Sequence, residues 1–224
     1  MLPLETLGRH RFPDGRDLVL YHRDGVFQIR IDGLELMTSR AHGSEESLAR
    51  MTNDVLGGTR APCVLIGGLG MGYTLRAALD AFPAGARITV AEVLPAVVEW
   101  NRGPLAPLAG RPLDDGRVTV AEQDVARLIE RADEDYHAII LDVDNGPFAL
   151  TIAENARLYE AEGLLSIRAA LCRSGVLAVW SASPDNAFLA RLRRAGFKAR
   201  SQKASAQGYG KGPVHTVFLA QRRP

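Results

Sequence analysis

Glycines crowd one short stretch, Val64-Leu-Ile-Gly67-Gly68-Leu69-Gly70-Met71-Gly72, between an apolar run and an amphipathic one. A backbone that turns sharply and admits a ligand without a Cβ in the way needs glycine there, so Gly68, Gly70 and Gly72 are candidate binding positions. The same residues also suit plain tight packing of a strand on a helix. Glu92 stands twenty residues past the last of them, at the end of the next strand pattern, where a carboxylate can accept from both hydroxyls of a ribose. Asp124 follows a third strand pattern and is placed to meet an adenine amino group or to cap the helix after it. Asp142 and Asp144, in Leu141-Asp-Val-Asp-Asn-Gly-Pro147, end a fourth. Two close carboxylates there suit an ammonium, a sulfonium or a general base, while Asx residues before Gly-Pro also build turns.

The elements that must position these groups follow from periodicity. The first forty residues read as an antiparallel meander: Leu18–Tyr21 and Val26–Ile31 flank the turn Arg23-Asp24-Gly25, and Asp32-Gly33 leads into Leu34–Met37. The period then becomes helical, with Ser44 as N-cap and Glu45 and Glu46 at the positive end, until Gly57-Gly58. From Pro62 strand and helix alternate. Strands are expected at Cys63–Ile66, Arg87–Ala91, Arg117–Ala121, Tyr136–Leu141 and Gly175–Trp180. Helices are expected near Tyr73–Phe82, from Pro95, over Val125–Ala132, as one long pattern over Ile152–Cys172, and over Asp185–Ala195. Phe197–Lys203 and Val214–Gln221 close the chain as two strands with no helix between them. The expected fold is α/β: a Rossmann-like, doubly wound, mostly parallel seven-stranded sheet with an antiparallel last strand, plus the small N-terminal meander. Residues 1–43 are then a β extension and 44–224 one Rossmann-like domain.

Glycine turn, Glu92 and Asp124 together favour an adenosine ligand. The turn reads G-x-G-x-G rather than the dinucleotide G-x-G-x-x-G, and no G-K-[S/T] follows the first parallel strand, which excludes a P-loop. Acidic residues after strands two, three and four of the alternating region, with an antiparallel terminal strand, point to S-adenosylmethionine. Lys+Arg 27 against Asp+Glu 26 leaves a net charge of +1, which argues against nucleic acid or an anionic membrane as partner. No apolar run reaches the roughly 20 residues of a membrane span, and no signal segment opens the chain, so a cytoplasmic protein is expected. Cys63 and Cys172 read as small apolar residues rather than a bridge or metal site.

These residues resemble the spermidine synthase-like branch of the class I S-adenosylmethionine-dependent methyltransferase superfamily. The likeness runs through the meander, Ala41-His-Gly-Ser-Glu-Glu46, the glycine turn, Ala91-Glu-Val-Leu-Pro-Ala-Val-Val98 and Tyr136–Pro147. In spermidine synthases the turn reads like G-G-G-D-G-G, and Met71 stands at its aspartate. The D-S-S-D-P motif puts Asn145 at its second aspartate if Asp142 is the first, with Asp144 beside it, and the Tyr-His-Glu stretch is Ser44-Glu-Glu-Ser47 here. The resemblance therefore implies nucleoside binding by Gly68, Gly70, Gly72, Glu92, Asp124 and Asp142, with Asp142 and Asp144 as catalytic candidates. Neutral residues at 71 and 145 argue against a strongly cationic acceptor.

Methyl transfer from S-adenosylmethionine to a small-molecule acceptor is the leading reading. Aminopropyl transfer from decarboxylated S-adenosylmethionine to a polyamine is the alternative, which needs Asp142 and Asp144, with Glu45 or Glu46, to replace the missing acids. A non-catalytic nucleoside-binding module, with the meander pairing between subunits of a homodimer, is the third. Asn145 and Trp180 are lining candidates; His42 lies in a loop that the resemblance puts over the cofactor; His215 reads as an edge-strand or surface histidine.

Overall fold

The structure, a computed structural model, describes residues 3–143, 153–207 and 212–223. Its first four strands, β1 (Glu5–Arg11), β2 (Asp17–Arg23), β3 (Val26–Ile31) and β4 (Leu34–Thr38), form one antiparallel sheet in sequence order. Both Asp-Gly turns take left-handed backbones, Asp24 and Gly25 at φ 51° and 78° and Asp32 and Gly33 at 46° and 84°. Such mirror-image turns match the twist of the strands they join. β1 carries no distinct signal in the sequence, because its alternation, exposed at Glu5 and Thr6, is weak.

The remainder alternates as α1 (Gly43–Leu56), β5 (Cys63–Gly67), α2 (Tyr73–Ala81), β6 (Arg87–Ala91), α3 (Pro95–Arg102), β7 (Val118–Ala121), α4 (Val125–Arg131) and β8 (Tyr136–Leu141). Then come α5 (Ala161–Ala170), β9 (Leu171–Ser181), α6 (Asn186–Arg194), β10 (Phe197–Ser205) and β11 (Val214–Arg222). The main sheet has seven strands in the order β10-β11-β9-β8-β5-β6-β7, parallel from β9 to β7, with β11 antiparallel to both neighbours.

Each central strand sends alternate side chains to opposite faces. Val64, Ile66, Ala138 and Ile140 join a core with Leu48 of α1, Leu75 and Leu79 of α2 and Val97 of α3. Leu65, Ile139 and Leu141 join the other core, with Ile129 of α4, Leu164 and Ile167 of α5 and Phe188 of α6. Leu18, Leu20, Ile29 and Ile31 of the N-terminal sheet belong to the first of these cores. At roughly 1.5–3 kcal/mol for each large side chain buried, the hydrophobic drive that closes the main sheet also seats the small one.

One expected element divides. The helical pattern over 152–172 is a tight 3-10 segment, Ala153–Tyr159, followed by α5, and β9 already begins at Leu171. Leu158, Tyr159, Leu164 and Ile167 all enter one core, so their spacing resembles a single helix although the chain reorients between Tyr159 and Ala161. Among the described residues no helix is long and apolar enough to cross a membrane.

Candidate active site

The winding direction reverses between β5 and β8, and open α/β sheets bind ligands at the carboxyl ends flanking such a switch point. The backbone ladder continues there past the strand ends. Gly68 N–H donates to Ala91 O (2.9 Å), Glu92 N–H to Ala121 O (3.0 Å) and Asp142 N–H to Gly67 O (2.9 Å). Gly68, Glu92 and Asp142 thus stand in one row, and with Gly70 and Asp124 they line a cavity of about 390 Å³. Residues 35–38 of β4, Ala41 just before α1 and Glu45 in its first turn also line it, as do Trp180 of β9 and His215 of β11.

Gly68 has no substitute in this row. Its φ is 89°, and a Cβ would lie 2.4 Å from the carbonyl oxygen of Asp142. Gly72, at φ 83°, serves the fold instead: it precedes α2, stands outside the cavity wall, and has Asn101 Oδ1 3.0 Å from where its Cβ would be. Met71, at the place of the turn's missing acid, is fully buried in the core.

Glu92 is buried and accepts from Leu69 N–H (3.1 Å) and Leu94 N–H (3.0 Å), so its carboxylate binds the glycine turn to the entry of α3. The carboxylate also lines the cavity, where the ribose of a nucleoside would lie on the reading from sequence. Asp124 caps α4, accepting from Ala126 N–H (2.8 Å), and pairs with Arg157 (2.7 Å). Both roles weighed for it from sequence are compatible with its place on the wall. Asp144 and Asn145 lie outside the described residues.

The strongest electrostatic feature is a pair of carboxyls, Glu45 and Asp142, both raised above their ordinary values. Glu45, in the first turn of α1, is only 7% exposed. Burial and then the neighbouring Asp142 charge push its carboxyl up to about 7, against a hydrogen bond from Ser44 Oγ (2.6 Å) that favours ionisation. Asp142, half-buried at the wall, is likewise raised by desolvation, although Thr74 Oγ1 donates to it at 2.5 Å. Glu46 is turned away, paired with His42 (2.8 Å). His42 in turn stacks on Tyr73 (centroids 4.1 Å apart), whose hydroxyl is raised to about 12 by burial and then by Glu45 and Glu46. His42 is a structural residue and does not line the cavity.

Two expectations are corrected here. Ser44 is not the N-cap of α1; that position is His42, with no side-chain cap bond, and the Ser44 hydroxyl is committed to Glu45 and to His215 Nδ1 (2.9 Å). Nor is His215 on an edge or open surface, because β11 runs between β10 and β9. Val217 lies opposite Trp180, so His215, two residues earlier, faces the same side, its ring 4.7 Å edge-on from Trp180. Burial lowers the imidazole pKa. The signal for His215 was a cross-strand register, which sequence periodicity does not carry.

A Rossmann-like sheet of this order, an antiparallel strand inserted next to its edge, and a glycine turn with acids after successive strands together define the class I S-adenosylmethionine-dependent methyltransferase fold. With the four-stranded N-terminal sheet beneath the site, it is the form of that fold found in spermidine synthases. Over 97% of its length the chain is similar to the spermidine synthase from Thermotoga maritima, covering 72% of that chain at a TM-score of 0.75 and 19% identity. It is similar to the same extent, 97% against 72%, to a spermidine synthase solved with the transition-state analogue AdoDATO (TM-score 0.74, 18% identity). A probable spermidine synthase from Corynebacterium glutamicum matches over 99% of this chain and 81% of its own (TM-score 0.64, 16% identity). At these identities the likeness is one of fold. No family model and no curated protein matches the sequence.

Proposed function

We propose that the protein transfers an aminopropyl group from decarboxylated S-adenosylmethionine to the nitrogen of a small amine of the polyamine class. The observation that carries this reading is the Glu45–Asp142 pair, two crowded carboxyls in a cavity whose described lining includes Glu35, Glu92 and Asp124 but no lysine or arginine. Left alone, the pair is costly and holds a proton at a pH where isolated carboxyls are ionised. An ammonium placed between them offsets both the desolvation and the mutual repulsion.

The choice of donor follows from the same charges. S-adenosylmethionine ends in an ammonium and a carboxylate, and the described lining includes no lysine or arginine to receive that carboxylate. The decarboxylated donor ends in the ammonium alone. Methyl transfer, the leading reading from sequence, therefore gives way to its alternative, and the fold shared with spermidine synthases, one of them solved with AdoDATO, supports the same choice. The acids absent at Met71 and Asn145 are replaced in charge by Glu45, which comes from a different element.

The residues fit the donor. Gly68 and Gly70 give backbone access to the nucleoside, Glu92 faces the ribose, Asp124 the adenine edge, and Glu45 and Asp142 the amino terminus of the propyl arm. When bound, the donor supplies an already activated sulfonium, so the protein's part is alignment of the two substrates and removal of one proton. Calorimetry should show decarboxylated S-adenosylmethionine binding at least tenfold more tightly than S-adenosylmethionine. Mass spectrometry should find 5′-methylthioadenosine and an aminopropylated product with putrescine or spermidine. A methylated acceptor, or equal affinity for the two donors, overturns the reading.

A further inference from the structure

An amine acceptor arrives as an ammonium and must lose a proton before its nitrogen can attack, so the cavity needs a base that is not already committed. Glu92 holds two backbone N–H groups, Asp124 holds a helix end and Arg157, and Glu35 accepts from Gln28 Nε2. Glu45 and Asp142 are, on the reading above, the counter-charge of the donor. His215 is different. Its Nδ1 meets Ser44 Oγ at 2.9 Å, while its Nε2 makes no hydrogen bond to any described residue, and the ring lines the cavity beside Trp180.

Resting on the aminopropyl-transfer reading, we propose that His215 is the general base of the reaction, with Ser44 and Glu45 as the residues that orient it. The chain of donors fixes its tautomer. With Glu45 ionised, the Ser44 hydroxyl must donate to Glu45 Oε2 (2.6 Å), and the hydroxyl oxygen can then only accept from His215 Nδ1–H. That leaves the lone pair on Nε2, on the cavity side. A carboxylate that orients a histidine through its Nδ1–H is the arrangement that makes imidazole a base elsewhere, and here a hydroxyl lies between the two.

The same chain couples the two substrates. Without a cation the Glu45–Asp142 pair retains a proton, and a protonated Glu45 can donate to Ser44, which reverses the chain and places the imidazole proton on Nε2. An ammonium between the carboxylates ionises Glu45, and the lone pair returns to Nε2. The base is thus armed by the donor.

In the reaction His215 Nε2 takes one proton from the acceptor ammonium. The freed nitrogen lone pair forms the C–N bond to the propyl carbon, and the C–S bond breaks with its electron pair passing to sulfur. The products are a dialkylammonium and a neutral thioether, and His215 returns its proton to solvent. Among the described residues, the titratable groups facing the ring are Glu45, reached from α1 through Ser44, and beyond it Asp142, just past the end of β8. Its partner on β10 is Ala204, and β9 presents Ser181 and Trp180. Burial, which lowers the imidazole pKa, keeps it neutral and available at pH 7.

The test separates a base from a mere tie between β11 and α1. In H215N the shorter amide keeps a donor near the Nδ1 position and removes Nε2. With putrescine and decarboxylated S-adenosylmethionine, H215N is expected to lose about 100-fold or more in kcat at pH 7 with methylthioadenosine affinity unchanged. Its rate should climb about tenfold per pH unit toward the amine's own pKa, where wild type has reached a plateau. S44A is expected to lose less, and nitrogen NMR of His215 should show the Nδ1–H tautomer in the wild-type donor complex and a mixture in S44A. An H215N kcat within threefold of wild type with the same pH profile overturns the base assignment while leaving aminopropyl transfer standing. An Nε2–H tautomer in the donor complex does the same. Wild-type protein that binds methylthioadenosine but transfers nothing to putrescine overturns both.

Discussion

A carboxyl whose pKa is higher in the folded chain than in the unfolded one binds its proton more tightly in the native state. The stability it contributes is present at low pH and is lost as pH rises through the folded value. Glu45, moved from an ordinary 4.5 to about 7, is such a group, and Asp142 shifts the same way. The apo protein should therefore lose stability between about pH 4.5 and pH 7, the range bounded by those two values. E45Q keeps the shape and an acceptor for Ser44 while removing the charge. Its Tm should exceed that of wild type above pH 7 by about 2–4 °C for each kcal/mol of desolvation and repulsion relieved, and match it near pH 4. Its affinity for decarboxylated S-adenosylmethionine should fall at least tenfold. Scanning calorimetry across pH checks the first claim. Parallel Tm profiles would mean that neither burial nor Asp142 raises the Glu45 carboxyl in the native state.

At the scale of elements, sequence was informative wherever burial has a period. The five parallel strands, their crossover helices and the closing hairpin follow from two-sided apolar runs and helical spacing, as with Leu65 and Ile66, which enter opposite cores from adjacent positions. The row formed by Gly68, Glu92 and Asp142, and Asp124 beside it, is legible for the same reason, since each follows a strand whose end can be read. Ser44, Glu45 and His215 were not legible as a unit. They are joined by a contact across 171 positions, and each alone looks like something ordinary: a helix cap, a helix-dipole acid, a surface histidine. The glycine turn can be tested at this scale. G68A must fit a Cβ 2.4 Å from a backbone oxygen at a φ of 89°, which should cost roughly 2 kcal/mol or more and disturb Asp142 directly. G116A, where a Cβ meets nothing within 4 Å, should leave both stability and nucleoside binding unchanged. Denaturant titration of the two variants measures the contrast, and equal midpoints would show that the turn tolerates a side chain.

At the scale of the whole molecule, the N-terminal sheet raises the question of whether it is an appendage or part of the folding unit. Leu18, Leu20, Ile29 and Ile31 share one core with Ile66, Ile140 and Ala178 of the main sheet, and Glu35 to Thr38 form a wall of the cavity. We propose that the division near residue 43 marks a change of architecture and not a boundary of cooperativity. The chain's 2 tryptophans report on the two regions separately. Trp100 of α3 lies against β1, with its indole nitrogen 2.2 Å from where a Cβ on Gly8 would be, and Trp180 lines the cavity. In W180F the remaining fluorescence follows the small sheet; in W100F it follows the site. If the core is one unit, both variants unfold in urea along curves that coincide with the loss of helical circular dichroism. L20A, which removes a fully buried side chain from β2, should then lower all of these transitions together by about 2–5 kcal/mol, though it lies on neither tryptophan's own element. A Trp100 signal lost at lower urea, with Trp180 and the dichroism unmoved, would show instead that the small sheet folds on the main one as a separate lid. The acid-lined cavity would then owe one of its walls to a docking equilibrium, and donor affinity would depend on it.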